Sequence, residues 1–104
     1  MARQAKEISE RRLSRRSLFA EADLPVKYVY ILQSEQDAGH FYTGITDDLD
    51  ARLSKHNLGE VAHTSKYRPW RIKTYVAFTD EDRARAFEKY LKSGSGRAFA
   101  KARL

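Results

Sequence analysis

Arg52 and His56 stand four residues apart in a stretch patterned as a helix. One offers a fixed fork of N–H donors suited to a phosphate, and the other can move a proton near neutral pH. Residues at that spacing are neighbours on a helix surface. Both flank Leu53, which with Leu49 makes the apolar stripe, so the pair lies at the border of the core. Tyr30 and Tyr42 fall in two strand-like runs, and a turn centred near Gln36 sets them opposite each other on one face. A slip of one residue separates them. Gly44, on the same side as Tyr42, suits either a bulge or the close approach of another backbone or a ligand. Glu88 lies on the edge of the later stripe Ala84, Phe87, Leu91. A carboxylate there either turns outward or holds a hard cation such as Mg²⁺, which needs only one or two protein carboxylates. Each group has an ordinary reading as well: buried tyrosines are usually core residues with a satisfied hydroxyl, and Arg/His neighbours are common on helices.

Two further stretches bear on binding. Gly94-Ser95-Gly96-Arg97 precedes a short helical run, so its amides and Arg97 suit a phosphate, although the same residues read as a helix end, turn and new cap. The loop ending at Trp70 carries Lys66, Tyr67 and Arg68, a mixture of charge and stacking surface used on nucleic acids, while Trp70 itself opens a strand and reads as core. His40, His56 and His63 show no metal-ligand spacing, and no phosphate-loop, nucleophile-elbow or dinucleotide fingerprint is present.

These groups need a scaffold, and the pattern supplies one. Lys27 to Gln33 is aromatic and β-branched, a strand buried on both faces; Ser34 to Gly39 is turn-forming; His40 to Thr46 is a second strand, completing a hairpin. Asp47 or Asp48 caps a helix that stops near Asn57 and Gly59. After the loop Leu58 to Pro69, Trp70 to Phe78 alternates as a third strand. Thr79 with Asp82 forms a capping box for a helix reaching about Lys92, Gly94-Ser95-Gly96 breaks it, and Arg97 to Leu104 is a last short helix. The expected fold is a small α+β domain over 27–104, a three-stranded antiparallel sheet flanked by helices in the order β-β-α-β-α-α. Residues 1–26 form a separate basic stretch with six Arg/Lys against four acids, read as a marginal helix or a solvated arm.

Composition narrows the class. With 104 residues, 41% of them hydrophobic, the chain suits one packed domain. No apolar run approaches the roughly 18 residues of a transmembrane helix, so no membrane association is expected. Without cysteine there is no disulfide, thiolate metal site or cysteine nucleophile, which fits a reducing cytoplasm. Twenty Lys and Arg against fourteen Asp and Glu give +6, a balance that favours a polyanionic partner.

Taken in order, Tyr28-Val29-Tyr30, Tyr42-Thr43-Gly44, Arg52, His56 and Glu88 resemble the GIY-YIG endonuclease family, and are most similar to its small single-domain bacterial members. The likeness runs from about Lys27 to the C-terminus and is strengthened by the His56-Asn57 pair and Lys66-Tyr67-Arg68-Pro69-Trp70. It implies a metal-dependent DNA endonuclease, structure-selective or weakly sequence-specific, with a protein partner as one source of specificity. It also implies roles: Tyr30 as general base or proton relay, Tyr42 positioning water and phosphate, and Arg52 stabilising phosphate charge. His56 would assist proton transfer, and Glu88 would hold one Mg²⁺ or Mn²⁺. The sequence departs where Tyr28 replaces a glycine, where Thr43 replaces an isoleucine, and where no asparagine follows Asn57; Ser95 or Arg97 stands in that last region. A non-catalytic nucleic-acid-binding or partner-recruiting module of the same fold is the rival reading.

Overall fold

β1, Lys27–Ser34, is the centre of the molecule because its residues satisfy two different neighbours. The computed structural model describes residues 26–104; apart from Val26, the basic stretch expected over 1–26 lies outside the described residues. β1 pairs antiparallel with β2, Phe41–Thr46, and with β3, Trp70–Phe78, giving the sheet order β2-β1-β3. Among the described residues three helices complete the fold: α1, Leu49–Asn57; α2, Glu81–Leu91; and α3, Gly94–Arg103. A single 3₁₀ turn, Ser65–Tyr67, interrupts the connection between α1 and β3. This is the expected α+β architecture in the expected order. Among the described residues no helix is long and apolar enough to cross a membrane.

Alternation along β1 sends side chains to opposite faces. Val29 and Ile31 pack with Ala84 and Leu91 of α2, and Ala100 of α3 closes the same cluster. Full burial of such aliphatic side chains is worth about 1.5–3 kcal/mol each. The opposite face carries Tyr30, Leu32 and Trp70, covered by Leu49 and Leu53 of α1.

Three local expectations need correcting. The hairpin register sets Tyr30 opposite Gly44 and Tyr42 opposite Leu32, so the tyrosines share a face without being directly paired. The reason is the turn: Ser34 stays in the strand, and its hydroxyl accepts from the Gln36 and Asp37 amides, moving the reversal further along the chain. The α2 cap is Asp80 rather than Thr79; its carboxylate accepts from the Arg83 amide. α3 begins at Gly94, because Ser93 caps it by accepting from the Gly96 amide. Gly94-Ser95-Gly96 is therefore the first turn of α3. Gly96 is buried against the Tyr90 backbone, where any Cβ would overlap the carbonyl, so glycine lets α3 fold back tightly onto α2. Asp48, one of the two expected caps, starts α1 by accepting from Ala51.

Candidate active site

The polar face of the sheet is built around one hydroxyl. Tyr30 is 1% exposed, and its ring lies across Gly44 on the neighbouring strand. A Cβ at that glycine would come within 2.6 Å of Tyr30 Cζ, far inside van der Waals contact. The close approach at Gly44 is made by the Tyr30 side chain.

α1 is held over this face by Leu49 and Leu53, and its spacing then aims Arg52 and His56 inward. His56 Nε2 lies 2.9 Å from Tyr30 Oη, and Arg52 Nε donates to the same oxygen at 3.3 Å. His56 is fully buried, and its other nitrogen, Nδ1, lies 2.7 Å from Thr64 Oγ1. The Tyr42 ring centre is 4.9 Å from that of His56 and 6.3 Å from that of Tyr30. Four expected residues, Tyr30, Tyr42, Arg52 and His56, therefore converge from two strands and one helix.

Asn57 anchors the end of α1: its side chain accepts from the Trp70 amide at 2.6 Å and donates to the Trp70 carbonyl at 3.0 Å. It substitutes for a strand partner at the point where β3 begins. Trp70 is core, as expected, and its indole N–H donates to the Thr64 carbonyl at 2.8 Å.

Glu88 stands apart from that buried group. Its side chain, one fifth exposed, pairs with Lys92 at 3.2 Å, and the Lys92 ammonium lies 6.0 Å from the Tyr42 ring centre. The same turn of α2 thus borders the tyrosine cluster. No group of three His, Cys, Asp or Glu side chains converges as a metal cage among the described residues.

Burial sets the electrostatics. Desolvation pushes the Tyr30 phenol above its ordinary pKa; the Arg52 hydrogen bond partly opposes this, and the Tyr42 and Glu88 charges add smaller upward pushes. Arg52 is held above its usual value chiefly by the hydrogen bond to Tyr30. His56 falls to about 4, first through burial and second through the Arg52 charge. At neutral pH the site therefore holds a phenol, a neutral imidazole and a guanidinium.

The residues expected to contact nucleic acid fall on two elements, the 3₁₀ turn with Arg68 after it and the first turn of α3. Lys66 is exposed with its ammonium 5.5 Å from the Tyr67 ring centre. Tyr67 stacks on His40 with ring centres 3.7 Å apart. Arg68 is exposed, its guanidinium packed against Gly59. Ser95 and Arg97 project from the first turn of α3 and, among the described residues, make no hydrogen bond to the tyrosine cluster. Thr64 is not anticipated by the sequence: it lies in a loop, and a threonine eight residues after a histidine has no distinguishing pattern. Its polar placement beneath a buried imidazole emerges only from the path of the loop.

The family model described as the GIY-YIG catalytic domain matches residues 26–101. The chain is 38% identical over 71 residues to a UPF0213 protein of Halalkalibacterium halodurans, covering 67% of this chain and 73% of that one. A UPF0213 protein of Lacticaseibacillus paracasei is 38% identical over 66 residues, 62% of this chain and 72% of the relative. A solution NMR structure of a UPF0213 protein from Bacillus halodurans is 31% identical, with a TM-score of 0.46, and covers 74% of this chain and 83% of that chain.

Proposed function

The chain belongs to the GIY-YIG family, and from that premise we propose that it is a metal-dependent endonuclease hydrolysing DNA phosphodiester bonds. The observation that carries the reading is the Tyr30 hydroxyl, held by both His56 and Arg52. Neither a pure core tyrosine nor a surface Arg/His pair accounts for two basic side chains brought to one buried phenol.

In this reading Tyr30 is a relay rather than a standing tyrosinate, since burial keeps it protonated. It accepts a proton from the attacking water as its own passes to neutral His56. The negative charge of an incoming phosphate opposes the Arg52 effect on His56 and makes the imidazole more basic at that moment. Arg52 spends Nε on Tyr30, and the rest of its fork suits a phosphate oxygen. Tyr42, beside both rings, positions the water and phosphate. The nucleases of the family generally depend on a divalent metal. Glu88 fits Mg²⁺ or Mn²⁺: it is a partly exposed oxygen donor bordering the tyrosines, its present partner Lys92 is a surface side chain that can turn away, and water and phosphate oxygens complete such a shell. A bound ion there would supply charge neutralisation at the phosphate and leaving oxygen. Lys66, Tyr67, Arg68, Ser95 and Arg97 contact the surrounding DNA. Sequence preference is weak, and selectivity comes from DNA shape or a protein partner.

The test is incubation with flapped, branched and plain duplex DNA in Mg²⁺, Mn²⁺ or EDTA. Cleavage that needs the metal and is lost in Glu88→Ala supports the reading. Binding without cleavage under every condition would instead favour a non-catalytic module.

A further inference from the structure

Thr64, in the connection between α1 and β3, is 1% exposed and touches the side of His56 turned away from Tyr30. A neutral imidazole carries one hydrogen, and which nitrogen holds it decides whether His56 can accept from Tyr30. The polar atoms form a row: Tyr30 Oη is 2.9 Å from His56 Nε2, Nδ1 is 2.7 Å from Thr64 Oγ1, and Oγ1 is 3.3 Å from the Val61 carbonyl.

Suppose the hydrogen is on Nδ1. Tyr30 then donates to Nε2, Nδ1–H donates to Thr64, and Thr64 donates to Val61; every hydrogen has an acceptor. Suppose instead it is on Nε2. The Tyr30 oxygen then receives from both His56 and Arg52, and its own hydrogen has no acceptor among the described residues. A buried donor left without a partner is disfavoured.

We propose that Thr64 is a positioning residue: by accepting from His56 Nδ1–H, it holds the imidazole in the tautomer whose Nε2 lone pair faces the Tyr30 hydroxyl. The Trp70 indole, donating to the Thr64 carbonyl, pins the loop that carries it. The catalytic consequence rests on the nuclease reading. As an O–H bond of water breaks, its proton joins the Tyr30 oxygen, and the Tyr30 proton moves to Nε2. The hydroxide forms the new bond to phosphorus, and the P–O bond to the leaving oxygen breaks. The leaving oxygen, departing on the far side of phosphorus, takes its proton from solvent water, and His56 returns its own through Tyr30 to solvent on the attack side.

Long-range ¹H–¹⁵N correlation of His56 in the labelled full chain at neutral pH reads the tautomer directly. Protonated Nδ1 is expected; protonated Nε2 overturns the proposal. Thr64→Ser keeps both tautomer and rate. Thr64→Val, which preserves shape without the acceptor, shifts the hydrogen toward Nε2 and lowers single-turnover cleavage of branched DNA in Mg²⁺ about 10–100-fold without changing KM. A valine variant that retains Nδ1–H overturns the proposal. If that variant does not fold, Thr64→Cys, with its weaker acceptor, is read the same way. Nδ1–H that depends on Thr64, in a protein that cuts no DNA, upholds the tautomer assignment while sinking the nuclease reading.

Discussion

β1 presents Val29 and Ile31 to one side of the sheet and Tyr30 and Leu32 to the other, and the two sides follow different rules. The first is an apolar cluster closed by α2 and α3, with no hydrogen bond to satisfy. The second buries a phenol, an imidazole and a threonine hydroxyl within the same shell as Leu32 and Trp70. Among the described residues none of its buried side-chain polar atoms lacks a partner. Apolar packing tolerates substitutions that conserve volume, whereas a polar row inside a core depends on every member. One face is closed by apolar packing alone, and the other gives part of the core to hydrogen-bonded polar groups.

The sharpest way to break that division is to damage each face separately. Tyr30→Phe removes the shared hydroxyl and lowers cleavage about 10²–10⁴-fold, the range for loss of acid–base catalysis. Leu91→Ala opens a hole on the other face and costs about 2–5 kcal/mol of stability, read from urea midpoints, while the rate per folded molecule is kept. Equal losses of rate in the two variants, after correction for folded fraction, would show that the faces are not separable.

How much of the molecule is legible in its sequence follows from the same contrast. Periodicity marks the apolar face well: the alternation of Trp70–Phe78 and the stripe Ala84, Phe87, Leu91 place the strands and helices with few errors. Arg52 and His56 are legible because a helix repeats every turn. The register is not, because Ser34 acts as a local acceptor for the turn amides and no hydrophobic pattern records this. The Asp80 cap escapes because Thr79 and Asp80 are both good caps, and only backbone entry into the helix chooses between them. Thr64 is invisible because loops carry no period. The side chains that serve the polar face are set by tertiary path, so its second layer is the least readable part.

Acid offers the next test, because among the described residues only the polar face buries an ionisable group. In the unfolded chain His56 takes a proton near pH 6.5, and in the folded chain at about 4. Between those values the unfolded state binds more protons. This contribution to stability is therefore complete above pH 6.5 and is lost as pH falls toward 4. Each pH unit separating the two values is worth about 1.4 kcal/mol, so the whole contribution is about 3 kcal/mol. The Asp37 carboxyl, held low by the Gly39 amide and by His40, adds its own loss on the acid side. His56→Gln retains that part, so the difference between the two urea-midpoint profiles isolates His56. Parallel profiles would remove the burial argument.

Gly44→Ala sharpens the comparison further, because the new methyl intrudes on the Tyr30 ring and hydroxyl while every hydrogen-bonding group of the row stays in the chain. The ring must leave its place, at a cost of about 1–3 kcal/mol, with cleavage falling alongside. Gly39→Ala is the control: its added Cβ meets Asp37 Oδ1 at 3.5 Å, an ordinary contact, and stability stays within about 0.5 kcal/mol. Thermal melts and single-turnover rates together decide it, and a Gly44→Ala protein with wild-type values in both would show that the tyrosine does not need this seat.

The smallest effect asks whether the layer covering the apolar face is scaffold alone. α3 contributes Ala100 to the core on one side and exposes Arg97 and Ser95 on the other. If Arg97 meets a DNA phosphate, Arg97→Ala weakens binding to all sequences alike by several-fold and lowers the slope of log K against log salt by about one. Neither the stability nor the His56 acid profile is expected to change, because Arg97 is exposed and belongs to neither buried cluster. An unchanged salt slope would confine α3 to holding the apolar face. DNA contact would then rest on the side of the sheet that carries Tyr30, through Arg52 in the row itself and the exposed Lys66 and Arg68.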